Sequence, residues 1–219
     1  MNKILMYSSL FVLVALNITL LVMKQKEPKQ KVQDDDVTFH LKASKSYHKQ
    51  TVVNSLLNNN THLPDSILLT DINDQKVFLK SLVNGGTKIV VRNNEEGCSL
   101  CIEHELDIIK KYADSLGNEN VIVITTHSNV RKLKVFVQTN HIPFNVYYCQ
   151  SLNIPYEWAT QKPFVFTLTP QLIVNNFFIP EVSETEISEA YYNTIYQLIF
   201  KSYKTSRLLT DYNSNKSLN

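Results

Sequence analysis

The sequence predicts an α/β fold that follows an N-terminal membrane-spanning helix. Two observations carry the α/β assignment. Short β-branched runs, Lys88–Arg92 and Val121–Thr125, alternate with stretches of helical apolar spacing, Cys98–Leu116 and Asn129–Asn140. A third observation, the uncharged and largely apolar run from Ile4 to Met23, carries the membrane-spanning helix.

Taken in order, the Ile4–Met23 run follows Lys3. At about 1.5 Å per residue it spans roughly 30 Å as a helix, one hydrocarbon core. Leu20-Leu21-Val22-Met23 offers no small residues for a signal-peptidase site, and no lipid-acceptor Cys is present. The run (residues 4–23) therefore reads as an uncleaved anchor. Its orientation is contested. Lys24, Lys26, Lys29 and Lys31 argue for a cytoplasmic C-terminal side, whereas long following domains are exported regardless of such charges. Residues 24–60 are polar and read as a linker with at most a short helix near Val52–Leu57.

The domain proper is expected over residues 61–203. Ser66–Thr70 and Lys76–Leu79 flank Asp71-Ile-Asn-Asp-Gln, a hairpin pattern. Lys88–Arg92 is a strand, and Cys98–Leu116 is one helix stopped by Gly117. Val121–Thr125 is a buried strand. Asn129–Asn140 is a helix with Val130, Leu133, Phe136 and Val137 on one face. Asn145–Tyr148 is a short strand, Phe164–Thr167 and Leu172–Phe178 form a second hairpin, and Glu184–Lys201 is a last amphipathic helix. Its stripe of Tyr191, Tyr192, Tyr196 and Phe200 reads as core. Residues 204–219 form a polar tail.

Composition narrows the function. The 219 residues suffice for one domain plus appendages, and 43% hydrophobic content excludes a disordered chain. A net charge of +2 without a basic stripe argues against nucleic acid as a partner. Four glycines, all between Gly85 and Gly117, form no phosphate-binding loop. No cofactor is expected. Three cysteines are too few for a disulfide scaffold, but Cys98 and Cys101 stand three apart, which points to redox or metal chemistry.

Cys98-Ser-Leu-Cys101 sits where a strand gives way to a helix, so both sulfurs fall on a first helical turn. There the partial positive charge and unpaired N–H groups favour a thiolate. Right-handed crossovers place the pair at the carboxyl edge of the first central strand, where open α/β sheets bind ligands. His104 shares a helix face with Cys101, but structural zinc wants four ligands and no second pair exists, so no metal is expected. Haem attachment needs His at the position of Ile102. The residues before Cys98 also lack the Thr that a peroxidatic cysteine requires. His127 reads as a strand-end polar residue. Glu95 and Glu96 read either as solvated loop charges or as a general base for Cys101. Cys149 is either a half-buried structural thiol or a third redox thiol.

Four segments then carry a resemblance. Leu63-Pro64-Asp65 with the hairpin after it, the strand leading to Cys98 and Cys101, His141-Ile-Pro-Phe144, and Lys162-Pro163-Phe-Val-Phe166 are similar to the membrane-anchored thioredoxin-fold proteins of the TlpA/ResA (redoxin) kind. The resemblance covers about residues 60 to 200. It implies a thioredoxin-like fold with a central mixed sheet flanked by helices, and a redox disulfide between Cys98 and Cys101. By its position at the helix start Cys98 is the attacking thiolate, and Cys101, one turn in, resolves the mixed disulfide. The resemblance further implies a cis peptide at Pro163, which brings the preceding backbone beside the dithiol. Lys162 and Pro163 would then bind an extended substrate, with Lys162 favouring the thiolate. The implied function is a thiol–disulfide oxidoreductase that reduces protein disulfides. It would be fed by a membrane electron-donor reductase and held by a single-pass anchor with its soluble domain in the periplasm. Four departures bear on substrate range and redox potential: Gly97 stands where an aromatic is usual, and Leu100 and Ile102 where a proline is frequent. The strand exit Asn93-Asn-Glu-Glu96 is acidic, and Lys162 replaces a small or β-branched residue. They keep open the alternative of a non-catalytic or redox-sensing binding module.

Overall fold

The structure is a computed structural model that describes residues 31–127, 129–158 and 161–201. The chain divides into two compact units, Met1–Lys49 and Gln50–Asn219. Among the described residues of the first is the leading part of helix α1 (Lys31–Asn58). The sequence predicts at most a short helix near Val52–Leu57 within this polar stretch; the structure has one helix over Lys31–Asn58. Its apolar residues gather on no single stripe, so helical periodicity gives no signal there. The Ile4–Met23 run and the 204–219 tail lie outside the described residues, and no described helix is long and apolar enough to cross a membrane.

Within the second unit, α1 ends in a set of asparagine contacts. Asn58 is buried; its Nδ2 donates to the Asn54 carbonyl at 2.6 Å and its Oδ1 accepts from the Tyr156 N–H at 3.0 Å. Asn59 Oδ1 accepts from the Phe177 N–H at 2.9 Å. Asn60, at φ 65°, takes the left-handed conformation that stops the helix.

The hairpin is formed by β1 (Leu68–Asp71) and β2 (Lys76–Phe78), paired antiparallel with Leu69 opposite Val77. Its turn is set by Asp71, whose Oδ1 accepts from the N–H of Asn73 and of Gln75 at 2.7 and 2.8 Å. A short helix α2 (Leu79–Val83) leads into β3 (Lys88–Asn93). Then come α3 (Ser99–Lys111), α4 (Ala113–Leu116), β4 (Val121–Thr125), α5 (Val130–Thr139) and β5 (Asn145–Tyr148). A 3-10 turn at Pro155–Trp158 precedes the hairpin of β6 (Phe164–Leu168) and β7 (Val174–Phe178). Helix α6 (Thr185–Ile195) follows, continued by a wider π-type turn over Tyr196–Lys201.

The seven strands form one mixed sheet in the order β2-β1-β5-β4-β3-β6-β7. β3, β4 and β5 run parallel, while β1 and β6 join them antiparallel. Both parallel crossovers travel the same way along the sheet, so right-handed connections put α3 and α5 on one face. That face packs Ile89, Val91, Val121 and Val123 against Ile102, Leu106 and Ile109 of α3, Leu133 and Phe136 of α5, and Tyr192 of α6. The other face packs Val90, Ile122, Ile124 and Phe166 against Leu63, Leu79, Leu152 and Tyr156. The middle of the two central strands, Ile89–Val91 and Val121–Ile124, is apolar at every position because both faces are covered. Each fully buried Leu or Ile contributes about 1.5–3 kcal/mol to this core.

The helix expected over 98–116 is broken at Tyr112, whose N–H bonds the Ile109 carbonyl in a tighter turn. The Tyr112 hydroxyl donates to the Glu189 carbonyl on α6 at 3.1 Å. The residue at the break is thus tied to a partner 77 positions away. Gly117 ends the second piece at φ 84°, as the sequence indicated. The aromatic stripe of the last helix faces inward: Tyr192 is fully buried, and Tyr191 stacks on Phe178 with ring centroids 4.7 Å apart.

Candidate functional site

β3 delivers the chain to the carboxyl edge of the sheet, and Asn94–Gly97 turns it into α3. The turn is closed by the Gly97 N–H on the Asn94 carbonyl at 3.0 Å. Thr126, just past β4, pins it from beside: its Oγ1 accepts from the Glu95 N–H at 2.8 Å and donates to Asn94 Oδ1 at 3.1 Å.

Cys98 and Cys101 are joined by a disulfide, with Cα atoms 5.2 Å apart. Cys98 is the N-cap of α3, and its Sγ accepts from the Cys101 N–H at 3.2 Å. The sulfur therefore takes one of the four unpaired N–H groups at the helix start. Both cysteines are half-buried, and Leu100 between them is 71% exposed.

The segment before Pro163 also reaches the site, though not in the expected way. The Lys162–Pro163 peptide is trans, as is every described peptide, which corrects the cis expectation. Trans is the lower-energy form by about 0.5–1 kcal/mol. Instead, Gln161 carries the approach: its carbonyl accepts from the Cys98 N–H at 3.2 Å. This contact also accounts for Gly97, because a Cβ there would stand 2.2 Å from the Gln161 oxygen. An aromatic residue has no room at that position.

The charged residues expected beside the dithiol have named partners elsewhere. Lys162 Nζ pairs with Glu181, and Glu95 Oε1 with Lys132 Nζ at 2.5 Å. His104 Nε2 meets Thr185 Oγ1, at the first residue of α6, at 3.1 Å. Among the described residues no group of three or more His, Cys, Asp or Glu is placed to hold a metal ion. His127 shares a hydrogen bond between its Nδ1 and Thr125 Oγ1 and stacks on Phe136 at 4.9 Å; burial pushes its pKa below the ordinary value. Cys149 is buried, its thiol donates to the Ser151 carbonyl at 3.1 Å, and burial pushes its pKa up.

One residue escaped the sequence reading. Glu105, one turn beyond Cys101 on α3, is fully buried. Ser188 Oγ donates to its Oε2 at 3.0 Å, and the Tyr192 hydroxyl donates to its Oε1. Burial raises its pKa to about 7 against the opposing pull of these two hydroxyls. The signal was present: Ile102, Glu105, Leu106 and Ile109 share the apolar face of the helix, and one of them is an acid.

Glu105 makes a pH prediction. Its folded pKa lies above the unfolded one, so the folded protein keeps a proton that the unfolded chain releases. Stability is then full below about pH 4.5 and falls as pH rises to about 7, by about 3 kcal/mol in all. Denaturant unfolding at pH 5 and pH 8 is expected to show this loss for the wild type and not for Glu105→Gln. Equal pH dependence in the two proteins refutes it.

No family model matches the sequence, and no curated protein does. Among solved structures the chain is similar to peroxidoxin BcpB from Mycobacterium tuberculosis, at a TM-score of 0.50 and 13% identity, over 64% of this chain and 98% of that one. It is also similar to a candidate thiol:disulfide interchange protein DsbE from Chlorobium tepidum, at 0.49 and 12%, over 64% of this chain and 99% of that one. Peroxiredoxin Q from Xanthomonas campestris follows at 0.47 and 11%, again over 64% and 99%. At these identities the likeness is one of fold. With BcpB it shows the chain to be an α/β protein of thioredoxin-like fold.

Proposed function

We propose that this protein is a membrane-anchored thiol–disulfide oxidoreductase that reduces protein disulfides in the cell envelope. The observation that carries the reading is the half-buried Cys98–Cys101 bridge at the start of α3, with Cys98 Sγ on the Cys101 N–H. A sulfur in that place is a stabilised thiolate once the bridge opens. The Ile4–Met23 run supports the anchor.

In the proposed cycle the Cys98 thiolate attacks one sulfur of a substrate disulfide. A Cys98–substrate bond forms, and the second substrate sulfur leaves as a thiolate that takes a proton from water. Cys101 then loses its proton and attacks Cys98 Sγ, which closes the internal bridge and releases the first substrate sulfur. Two electrons pass from the protein to the substrate; one of the two protons comes from Cys101 and the other from water. A membrane reductase carrying its own dithiol restores the starting state by the reverse exchange. Lys162 and Pro163, next to the Gln161 carbonyl that touches Cys98, form the proposed platform for the substrate backbone.

A redox titration in dithiothreitol buffers tests the reading. It is expected to give a reversible two-electron couple in the folded protein, with Cys98 the first thiol alkylated at neutral pH. A bridge that resists reduction until the chain unfolds, or Cys101 or Cys149 reacting first, refutes it. A membrane-impermeant alkylating reagent on intact cells then reports the side of the membrane: labelling supports the envelope placement, and protection until lysis refutes it.

A further inference from the structure

A groove of about 460 Å³ lies along α5, with Glu95 of the Asn94–Gly97 turn in its lining. Phe136, with the His127 ring stacked on it, forms part of its lining, and Val135, 54% exposed, adds an apolar wall. Its charged residues are Glu95, Arg131 and Lys132. Glu95 and Lys132 neutralise each other at 2.5 Å. Among the described residues no carboxylate pairs with the Arg131 guanidinium, which is exposed at the start of α5. Burial of His127 favours its neutral form. The groove thus presents an apolar wall and one unmatched positive charge. That charge lies on the first turn of a helix, where the dipole adds to it.

Glu95 ties one edge of the groove to Cys98 through the chain. Glu95 precedes Cys98 by three residues, so their Cα atoms are at most about 10 Å apart. An extended substrate chain advances about 3.3 Å per residue, so three or four residues cover that distance.

We infer that this groove selects the substrate: it takes a polypeptide segment bearing an Asp or Glu within about four residues of the cysteine that Cys98 attacks. The inference rests on the dithiol reading above. Arg131 holds the carboxylate, and Val135 packs on the neighbouring side chain. Lys132 is tied to Glu95 and contributes less.

The test uses two disulfide-bridged peptides that differ at one position three residues from the reactive cysteine, Glu in one and Lys in the other. Hydroxyethyl disulfide, which has no side chains and no charge, serves as the reference. The full chain is expected to reduce the Glu peptide with a kcat/KM about tenfold above the Lys peptide at low salt, and the ratio is expected to shrink in 0.5 M NaCl. In Arg131→Glu the ratio is expected to invert. Because each protein is scored by its own ratio, a general loss of activity cancels. Equal rates on the two peptides, or a preference that survives Arg131→Glu, overturns the groove assignment while leaving the dithiol reading intact. Failure of the wild type on hydroxyethyl disulfide as well overturns both.

Discussion

Cys98→Ser is expected to bring insulin disulfide reduction, driven by dithiothreitol, down to the uncatalysed rate. The argument is one of position. Only Cys98 has its sulfur at the end of α3 with an N–H donor already on it, and only its backbone is held by the Gln161 carbonyl. Serine preserves the cap, since a hydroxyl accepts the same N–H bond, so the variant keeps the helix and loses the nucleophile. Cys101→Ser is expected to fail differently. It retains attack and lacks resolution, so a mixed disulfide with substrate accumulates and is visible as an adduct by mass spectrometry. Cys149→Ser is expected to leave turnover unchanged, because that thiol is buried and bonded to Ser151. Full turnover by Cys98→Ser, or an adduct on Cys98→Ser instead of Cys101→Ser, reverses the assignment of the two sulfurs.

Much of this architecture is legible from local patterns. Ile89–Val91 and Val121–Ile124 are apolar throughout because both faces of the sheet are covered, and that reads directly as buried strand. Asp71 announces its turn through its own side chain. Features that depend on distant partners do not show in the chain. Tyr112, where the helix breaks, bonds a carbonyl of α6, and the need for glycine at position 97 depends on Gln161. Lys162 looks available to the dithiol in sequence and is paired with Glu181 in space. The cis expectation at Pro163 came from resemblance, and the approach it was meant to explain is made by the residue two places earlier. Helix α1 lacks an apolar stripe, which is the one signal that periodicity can read.

Arg92 shows how a residue that looks out of place in a strand can hold the site together. It lies near the end of β3 and is only 4% exposed. Its Nε meets Glu157 Oε1 at 2.7 Å, and its two Nη groups donate to the carbonyls of Cys149 and Gln150, each at 3.0 Å. Glu157 Oε2 accepts from Ser151 Oγ and from the Leu152 N–H, both at 2.8 Å. The pair therefore ties the chain after β5 to β3, the strand that leads to Cys98, four residues before Gln161 makes its own bond to Cys98. Removing one member strands the other as a buried charge. Arg92→Met is expected to cost about 3–5 kcal/mol in denaturant unfolding of the oxidised protein. It also frees the Cys149 carbonyl, so Cys149, the one thiol outside the bridge, is expected to become alkylatable under native conditions. Adding Glu157→Gln removes the stranded charge while keeping an acceptor in place. The double variant is therefore expected to be more stable than Arg92→Met alone, which separates stranded charge from lost packing. If the second substitution instead lowers stability further, the loss is one of packing and backbone hydrogen bonds. The ion pair would then be incidental to how β3 is held beneath the dithiol.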